Sequence, residues 1–422
     1  MFKTLADAWK IPELRKKLIF TVVILLIYRV AAAIPVPFVN TELMSTSAEL
    51  GRLLDDTILG LYNAMSGSAF SQASLLALGI QPYINASIII QLLTVAIPPL
   101  ERLAKEGGEE GKKKIDRITR YTTVGLGLVL GFAYYTMCKT YGILDEGVGF
   151  WQATVIVLAF TAGSSFAMWL GEQITEFGIG NGISMILFAN IIAGLPQTLK
   201  GTLSLGWWSI AVFVILALLI IFIIFINDAE RRIPIQYAKR VVGRKIYGGQ
   251  NTNLPIKVAM SGVMPVIFAQ SIASIGATVC AFIPNGTTGW WYENIFSPNC
   301  WVYIVVYGLL IFFFSWFYST IQYDPTEISN NLKKNGGFIP GFRPGKPTGD
   351  FIKNVINKIL IFGAIYLSIV ALLPVISGAI WTEVQSLAIG GTSIIIVVGV
   401  ALETVKAVEA QMLMRHYKGF LD

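Results

Sequence analysis

The sequence predicts an all-α, polytopic membrane protein with ten transmembrane helices. Three observations carry that prediction. Of the 422 residues, 55% are hydrophobic and only 14% charged, against about a quarter charged in ordinary soluble domains, and the mean hydropathy is +0.65. The apolar residues fall in long runs divided by polar loops, each run close to the ~20 residues that cross a bilayer as a helix. Lysine and arginine concentrate in every second loop. Together these exclude a soluble globular enzyme, a disordered chain and a fibrous protein.

The chain opens with a basic, amphipathic stretch, Met1 to Lys17. It has no small-residue cleavage site behind a short apolar core, so it is expected to remain as a cytoplasmic segment before an uncleaved first helix. Spans are expected near 18–37, 75–97, 121–138, 151–170, 183–197, 209–226, 258–283, 301–322, 355–375 and 387–405. The fifth is short and interrupted by Gly and Pro. Ten spans place both termini on one side, and the loops say which. The N-terminus, 98–120, 171–182, 227–257, 323–358 and the C-terminal tail hold 28 of the 32 Lys and Arg residues, so these segments are cytoplasmic by the positive-inside rule. The opposite loops hold only Arg52, Lys139 and Lys200, while Arg29 lies inside the first span. One missed helix would scramble the alternation.

Two cytoplasmic loops, Asn227 to Lys257 and Gln322 to about Phe351, exceed what a turn needs and are basic and punctuated by Gly and Pro. Long structured loops on one face usually bind something; the blander reading is that they only set topology. On the outer side only 38–74 is long. Its first part carries Glu42, Glu49, Asp55 and Asp56; its second, Gly60 to Ser74, reads GLYNAMSGSAFSQAS and is too short and polar to span. It is either a half-helix dipping back into protein, where irregular backbone is tolerated at membrane depth, or a surface loop.

Much chemistry is excluded. Cys138, Cys280 and Cys300 form no CxxC pair and no disulfide framework, and His416 is the single histidine, which removes a multi-histidine metal site and a histidine-based triad. No HExxH, GxSxG, paired-carboxylate or Walker A signature occurs, so neither a cofactor nor an enzymatic activity is expected and energy must come from a partner or the membrane potential. A secondary transporter would place ionisable residues near the midplane, and an intramembrane enzyme would need a catalytic dyad there. The spans supply neither. Glu172 and Glu176, in GEQITEFGIGNG, sit at a cytoplasmic helix end and read as capping or loop-ordering groups. Polar residues inside spans are neutral. The second span, LGIQPYINASIIIQLLTVAIPP, has Gln81, Asn85, Ser87 and Gln91; the seventh, VAMSGVMPVIFAQSIASIGA, has Ser261, Gln270, Ser271 and Ser274. Such side chains glue helices together or line a wet path, and the residues alone favour glue.

Six segments carry a resemblance: GIQPYINASIIIQLLT (79–94), MWLGEQITEFGIGNGIS (168–184), RRIPIQYAKR (231–240), NLPIKVAMSGVMPVIFA (253–269), NLKKNGGFIPGFRPGKPT (331–348) and GGTSIIIVVGVALET (390–404). In order and along essentially the whole chain they resemble the SecY family, central channel subunits of the bacterial Sec machinery. The resemblance implies a channel that moves unfolded secretory polypeptides, bearing signal sequences, across the cell membrane and releases apolar segments sideways into lipid. It implies two inverted, pseudo-symmetric halves, 1–197 and 198–422, around an hourglass pore.

The implied pore ring is Ile80, Ile84, Ile183, Leu187, Ile267 and Ile396. Ile80 and Ile84, and Ile183 and Leu187, are i, i+4 pairs. Stiff β-branched side chains around an apolar constriction exclude ions and water by dewetting. Leu187 departs from the isoleucine of some relatives and keeps the bulk. The implied plug, about 60–72, includes Gly60, Tyr62, Asn63, Met65, Gly67 and Phe70, and decides the loop question in favour of an element that fills the outer funnel. Asn85, Ser87, Gln91, Gln270 and Ser271 fall at the implied lateral gate. Implied partners are the small membrane subunits SecE and SecG, the motor ATPase SecA, and the ribosome. Arg231, Arg232, Lys239, Arg240, Arg244 and Lys245 in the first loop and Arg343 in the second are the implied docking cations. Clustered Arg and Lys suit ribosomal RNA phosphates, and Pro and Gly around Arg343 present its guanidinium on a fixed turn.

Overall fold

The structure is a computed structural model. It describes residues 7–41, 62–63, 65–145, 147–203, 206, 208–237, 240–242, 245–247, 251–259, 262–282, 289–297, 300–380 and 385–418. The described chain is mostly helical. Its helices are α1 (Pro12–Ala32), α2 (Gln81–Ala96), α3 (Pro98–Lys105), α4 (Gly108–Thr140), α5 (Phe150–Phe177), α6 (Gly182–Leu203), α7 (Trp208–Asp228), α8 (Met264–Phe282), α9 (Trp301–Gln322), α10 (Pro325–Lys334), α11 (Lys346–Ile380) and α12 (Gln385–Lys418). Five short strands join them: β1 (Glu230–Tyr237), β2 (Arg240–Val242), β3 (Lys245–Tyr247), β4 (Asn251–Lys257) and β5 (Gly337–Phe338).

A helix overlaps every expected span; α9 has the expected ends, Trp301–Gln322, and the others are shifted. Among the described residues, four helical stretches are both long and apolar enough to cross a membrane: Gly108–Thr140, Phe150–Phe177, Asn294–Lys334, which contains α9, and Lys346–Leu373. A fifth is the bent pair Gln81–Ala96 with Pro98–Ala104, and Gly182–Pro196, Val212–Asp228 and Met264–Gly276 are apolar but shorter.

Local chemistry explains the shifts. The expected first span begins late and ends late, because Pro12 at the first helical position starts α1 inside the basic stretch and the chain leaves the helix after Ala32. The second apolar run starts at 75, but 75–80 are turns and α2 begins at Gln81 with Ile80 as its N-cap and Pro82 in its first turn. α2 and α3 meet at 105°, since Pro98 and Pro99 remove backbone donors and force Ile97 out of the helical region (ψ 110°). The fifth span, expected to be short, continues through Pro196 to Leu203. Asn181 starts it: its Oδ1 accepts from the Ile183 and Ser184 amides at 3.0 and 3.3 Å.

The two long loops fold as one unit. β1 pairs antiparallel with β4, from Glu230 opposite Lys257 to Gln236 opposite Asn251, and its other edge takes β5, with Gln236 opposite Phe338 and Tyr237 opposite Gly337. The sheet order β4-β1-β5 therefore joins residues of both loops. Ile233, Ile235 and Ile256 from the sheet pack on Leu332, Ile339, Ile352, Ile356 and Leu360. α10 is capped by Asp324, whose carboxylate accepts from the Thr326 and Glu327 amides.

Among the helices, α1, α2, α4 and α6 each pack on α5, and α2 on α4. α7 and α11 pack on α12, and α9 on α8 and α11. These two sets touch along α6–α12 and α6–α7 on one side and along α2–α8 and α4–α8 on another. The first seam is tied by Thr404 Oγ1 on α12 to Met185 Sδ on α6 at 3.3 Å. Large exposed apolar side chains line the outward helix faces, among them Leu26 on α1, Val129 on α4, Leu218 on α7 and Leu309 on α9. That is the surface a bilayer covers and water does not.

Candidate functional site

The largest apolar core contains all six expected ring residues. Ile80, Ile84, Leu187, Ile267 and Ile396 are buried in it, and Ile183 packs against it half-buried. They come from four helices of both sets: α2, α6, α8 and α12. Ile80 lies just outside α2, yet the Ile84 amide donates to its carbonyl at 3.1 Å, so the two remain one turn apart. Glycines allow the convergence. A Cβ on Gly171 of α5 would stand 3.3 Å from Ile80 Cδ1 and 3.8 Å from the Ile183 nitrogen. A Cβ on Gly399 of α12 would overlap Val263 Cγ2, just before α8, between the turns that carry Ile396 and Ile267. The gathered side chains offer neither donor nor acceptor; chemically the arrangement can only exclude.

The segment 62–80 lies beside this core. Gly60, the first residue of the expected plug, is outside the described residues. Tyr62 and Asn63, Met65 and Ser66 are helical, and turns follow from Gly67 to Ile80, so the described part is mainly turn where a short helix was expected. It is held from within and without. Asn63 Oδ1 accepts from the Ser71 amide at 3.0 Å, and Ser66 Oγ accepts from the Phe70 amide at 3.0 Å. Phe70 packs edge-on against Tyr134 of α4 (centroids 4.8 Å apart), whose hydroxyl donates to the Phe70 carbonyl at 2.6 Å. Gln81 Nε2 donates to Met65 Sδ at 3.0 Å. A Cβ on Gly163 of α5 would overlap the Leu75 carbonyl. Buried Tyr62, Met65 and Phe70 share two cores with the helices around them.

The neutral polar residues expected at the lateral gate divide by burial. Asn85, Ser87 and Gln91 on α2 are half-buried; Gln91 Nε2 donates to Ser87 Oγ at 3.4 Å, and Gln91 also bonds the Tyr318 hydroxyl of α9. Gln270 and Ser271 on α8 are buried, and the Gln270 Oε1 and Ser271 Oγ atoms have no hydrogen-bond partner. A cleft of about 780 Å³, lined by Gln91, Tyr318, Lys257, Gly262 and Glu403 among others, opens at the end of the α2–α8 seam nearer the sheet.

The basic end presents some of the expected cations. Arg231 and Arg232 on β1 are exposed, and Arg232 Nε pairs with Glu230 Oε1 at 2.6 Å. Arg240 begins β2 and Lys245 begins β3; Lys239 and Arg244 lie outside the described residues. Arg343 is exposed at the tip of a turn framed by Gly341 (φ +91°) and Gly345 (φ +105°). Three contacts fix that turn: Thr348 Oγ1 donates to the Arg343 carbonyl at 2.7 Å, Ser329 Oγ donates to the Gly345 carbonyl at 2.7 Å, and Phe342 stacks on Phe351 with centroids 4.2 Å apart. Glu172 has a role other than the expected cap: its Oε1 accepts from Arg120 Nε at 2.9 Å and ties α5 to α4.

The sequence reading missed the polar group around the segment 62–80. Arg29 was visible as a lone charge in a span, and its geometry is new: Nη1 donates to the Gly67 carbonyl at 3.3 Å, and Nη2 to the Ala189 and Asn190 carbonyls at 3.0 and 3.3 Å. Tyr28 and Asn190 carried no signal at all, yet Asn190 Nδ2 donates to the Tyr28 hydroxyl at 3.0 Å and the Met65 carbonyl at 2.8 Å.

Comparison with known proteins agrees with this geometry. A family profile described as SecY matches residues 74–405. The chain is 42% identical to the protein translocase subunit SecY of Streptomyces galbus, each covering 100% of the other. It is 42% identical to that of Thermotoga maritima over 100% of this chain and 98% of the relative. In fold it resembles a solved protein-conducting channel, with a TM-score of 0.64 at 17% identity over 94% of this chain and 92% of the other. It resembles Sec61 in the canine ribosome-channel complex from the endoplasmic reticulum, at 0.61 and 17% over the same shares.

Proposed function

The chain belongs to the SecY family, and from that premise we propose how this protein-conducting channel is built and worked. It is a multi-pass membrane protein. The ten helices α1, α2, α4 to α9, α11 and α12 cross the bilayer, in two inverted halves, 1–197 and 198–422, with both termini and the sheet in the cytoplasm. The observation that carries the reading is the convergence of Ile80, Ile84, Ile183, Leu187, Ile267 and Ile396, from both sets of helices, in one core.

In the mechanism that follows, these six close a waist that dewets when empty, so ions do not pass. An aliphatic waist also suits a cargo of arbitrary sequence, since it offers no hydrogen bond to grip a passing chain. Residues of the plug, about 60–72, fill the outer funnel at rest. The α2–α8 and α4–α8 contacts part as the lateral gate, through which an apolar signal sequence of about ten residues meets lipid. SecE and SecG bind the outward helix faces. SecA, or a translating ribosome through its RNA phosphates, docks on the sheet and the Arg343 turn and supplies the driving force.

The test is transport into proteoliposomes holding the channel with SecE- and SecG-type subunits, given SecA, ATP and a signal-bearing precursor. ATP-dependent protection of the precursor from protease is expected, and its loss in Arg343→Glu with normal membrane insertion. Misinsertion of that variant would return Arg343 to a topological role. No protection with either SecA or ribosome-bound chains, from an assembled channel, would overturn the reading.

A further inference from the structure

Arg29 is the one Lys or Arg within α1 past its basic first turns, and among the described residues its guanidinium donates to three backbone carbonyls: Gly67 at 3.3 Å, Ala189 at 3.0 Å and Asn190 at 3.3 Å. Gly67 belongs to the segment 62–80, and the other two lie on α6. From α6 the buried Asn190 side chain crosses to the same segment and donates to the Met65 carbonyl at 2.8 Å. Two walls thus each send one donor to one carbonyl of the segment.

The segment between them is conformationally costly. Gly67, Ser68 and Ala73 have φ of +66°, +69° and +43°. Left-handed backbone is disfavoured for Ser and Ala and persists where surrounding contacts over-determine it. At Gly67 the absence of a side chain is required twice, because a Cβ there would also lie 2.5 Å from Arg29 Nη1 and 2.7 Å from Nη2.

We propose that Arg29 and Asn190 are a latch that holds residues 62–72, the part of that segment well ahead of the ring residue Ile80, in place in the resting channel. The proposal rests on the channel reading above and concerns what keeps that channel shut. Two of the three carbonyls on the guanidinium belong to α6, so when the segment leaves, the charge keeps acceptors and is never stranded. Among the described residues no carboxylate pairs with the guanidinium, and the contact broken on release is one to a neutral carbonyl. The segment gives up the two latch hydrogen bonds together with those from the Tyr134 hydroxyl to Phe70 and from Gln81 to Met65, and its freed carbonyls meet water in the opened funnel while its strained residues relax. A latch built on main-chain acceptors is strong enough to bias the resting state and weak enough for cargo to open.

The experiment records ion conductance of the channel complex in planar bilayers without precursor, alongside transport of a precursor with a weakened signal sequence. Arg29→Met and Gly67→Ala remove the same contact from opposite sides. Each is expected to raise resting conductance on the order of tenfold, the factor that ~1.4 kcal/mol gives, and to raise transport of the weakened precursor. The double variant is expected to match Gly67→Ala, which loses the contact and also strains the backbone at φ +66°. Asn190→Ala tests the second donor if Arg29→Met does not fold. Resting conductance within about twofold of the unsubstituted channel, well under that ~1.4 kcal/mol factor, would overturn the latch; so would multiplicative effects in the double variant. An unsubstituted channel that transports no precursor would overturn the channel reading itself.

Discussion

At the scale of single residues, the site depends on atoms that are missing as much as on those present. Gly399 is the sharpest case, since a Cβ there would overlap Val263 Cγ2 beside Ile267 and Ile396, two of the proposed ring residues. Gly399→Ala is expected to lower the melting temperature of the detergent-solubilised protein, through an overpacking cost of about 1–3 kcal/mol. Val263→Ala should restore it in the double variant, because it clears the offending methyl. Failure of rescue would mean that Gly399 serves backbone conformation and not close approach. The resemblance gave the ring residues by position, yet nothing in the sequence told their spacers apart from ordinary membrane glycines. The partners of Arg29 were illegible for a different physical reason: Gly67, Ala189 and Asn190 receive it through backbone carbonyls, which every residue has, so no residue type records the contact.

At the scale of elements, apolar runs locate helices but not their ends. Ends are set by local chemistry: Pro98 and Pro99 turn the chain through 105° at the end of the apolar run 75–97, and the turns 75–80 precede α2 within the same run. The two basic loops were legible as large, and their union was not, because the pairing of Gln236 with Phe338 and of Tyr237 with Gly337 spans 100 residues of sequence and leaves no local pattern. That union makes the Arg343 turn testable as a built object. Its tip hangs on the Phe342–Phe351 stack and on the Ser329 and Thr348 hydroxyls. Phe342→Ala keeps Arg343 but removes the stack, at a cost of about 0.5–1.5 kcal/mol beyond lost area. Faster proteolytic nicking near 341–345 is expected, with motor-driven transport reduced less than in Arg343→Glu. Equal loss in both variants would make Phe342 itself a docking contact. Unchanged nicking would show that the two hydroxyls fix the turn without it.

At the scale of the whole molecule, the two sets of helices meet along seams of unequal character. The α6–α12 seam carries the Thr404–Met185 contact, and α12 is further tied to α7 by Lys406 Nζ to Asp228 Oδ1 at 2.7 Å. The two helices of the α2–α8 seam instead carry neutral polar groups, and two buried oxygens of α8, on Gln270 and Ser271, go without a partner. An unsatisfied buried polar atom costs about 1–3 kcal/mol, and in lipid apolar helices gain from close packing alone. On the proposed placement of these groups at the gate, the second seam is the weaker, and a molecule that opens sideways should part there and hinge on the other. Replacing the polar groups tests this as a single property. Asn85→Leu with Gln91→Leu, and separately Gln270→Leu with Ser271→Ala, should tighten the seam. Transport of precursors with weak signal sequences should fall several-fold, while strongly apolar signals, which bring more driving force to the gate, should lose less. The readout is the ratio of the two precursors in one vesicle preparation, which cancels differences in channel amount. A ratio unchanged in both pairs would mean that these side chains are helix glue and that the gate lies elsewhere. A ratio moved by the α2 pair alone would place the weakness in the Gln91–Ser87–Tyr318 bonds and not in the unpartnered oxygens of α8.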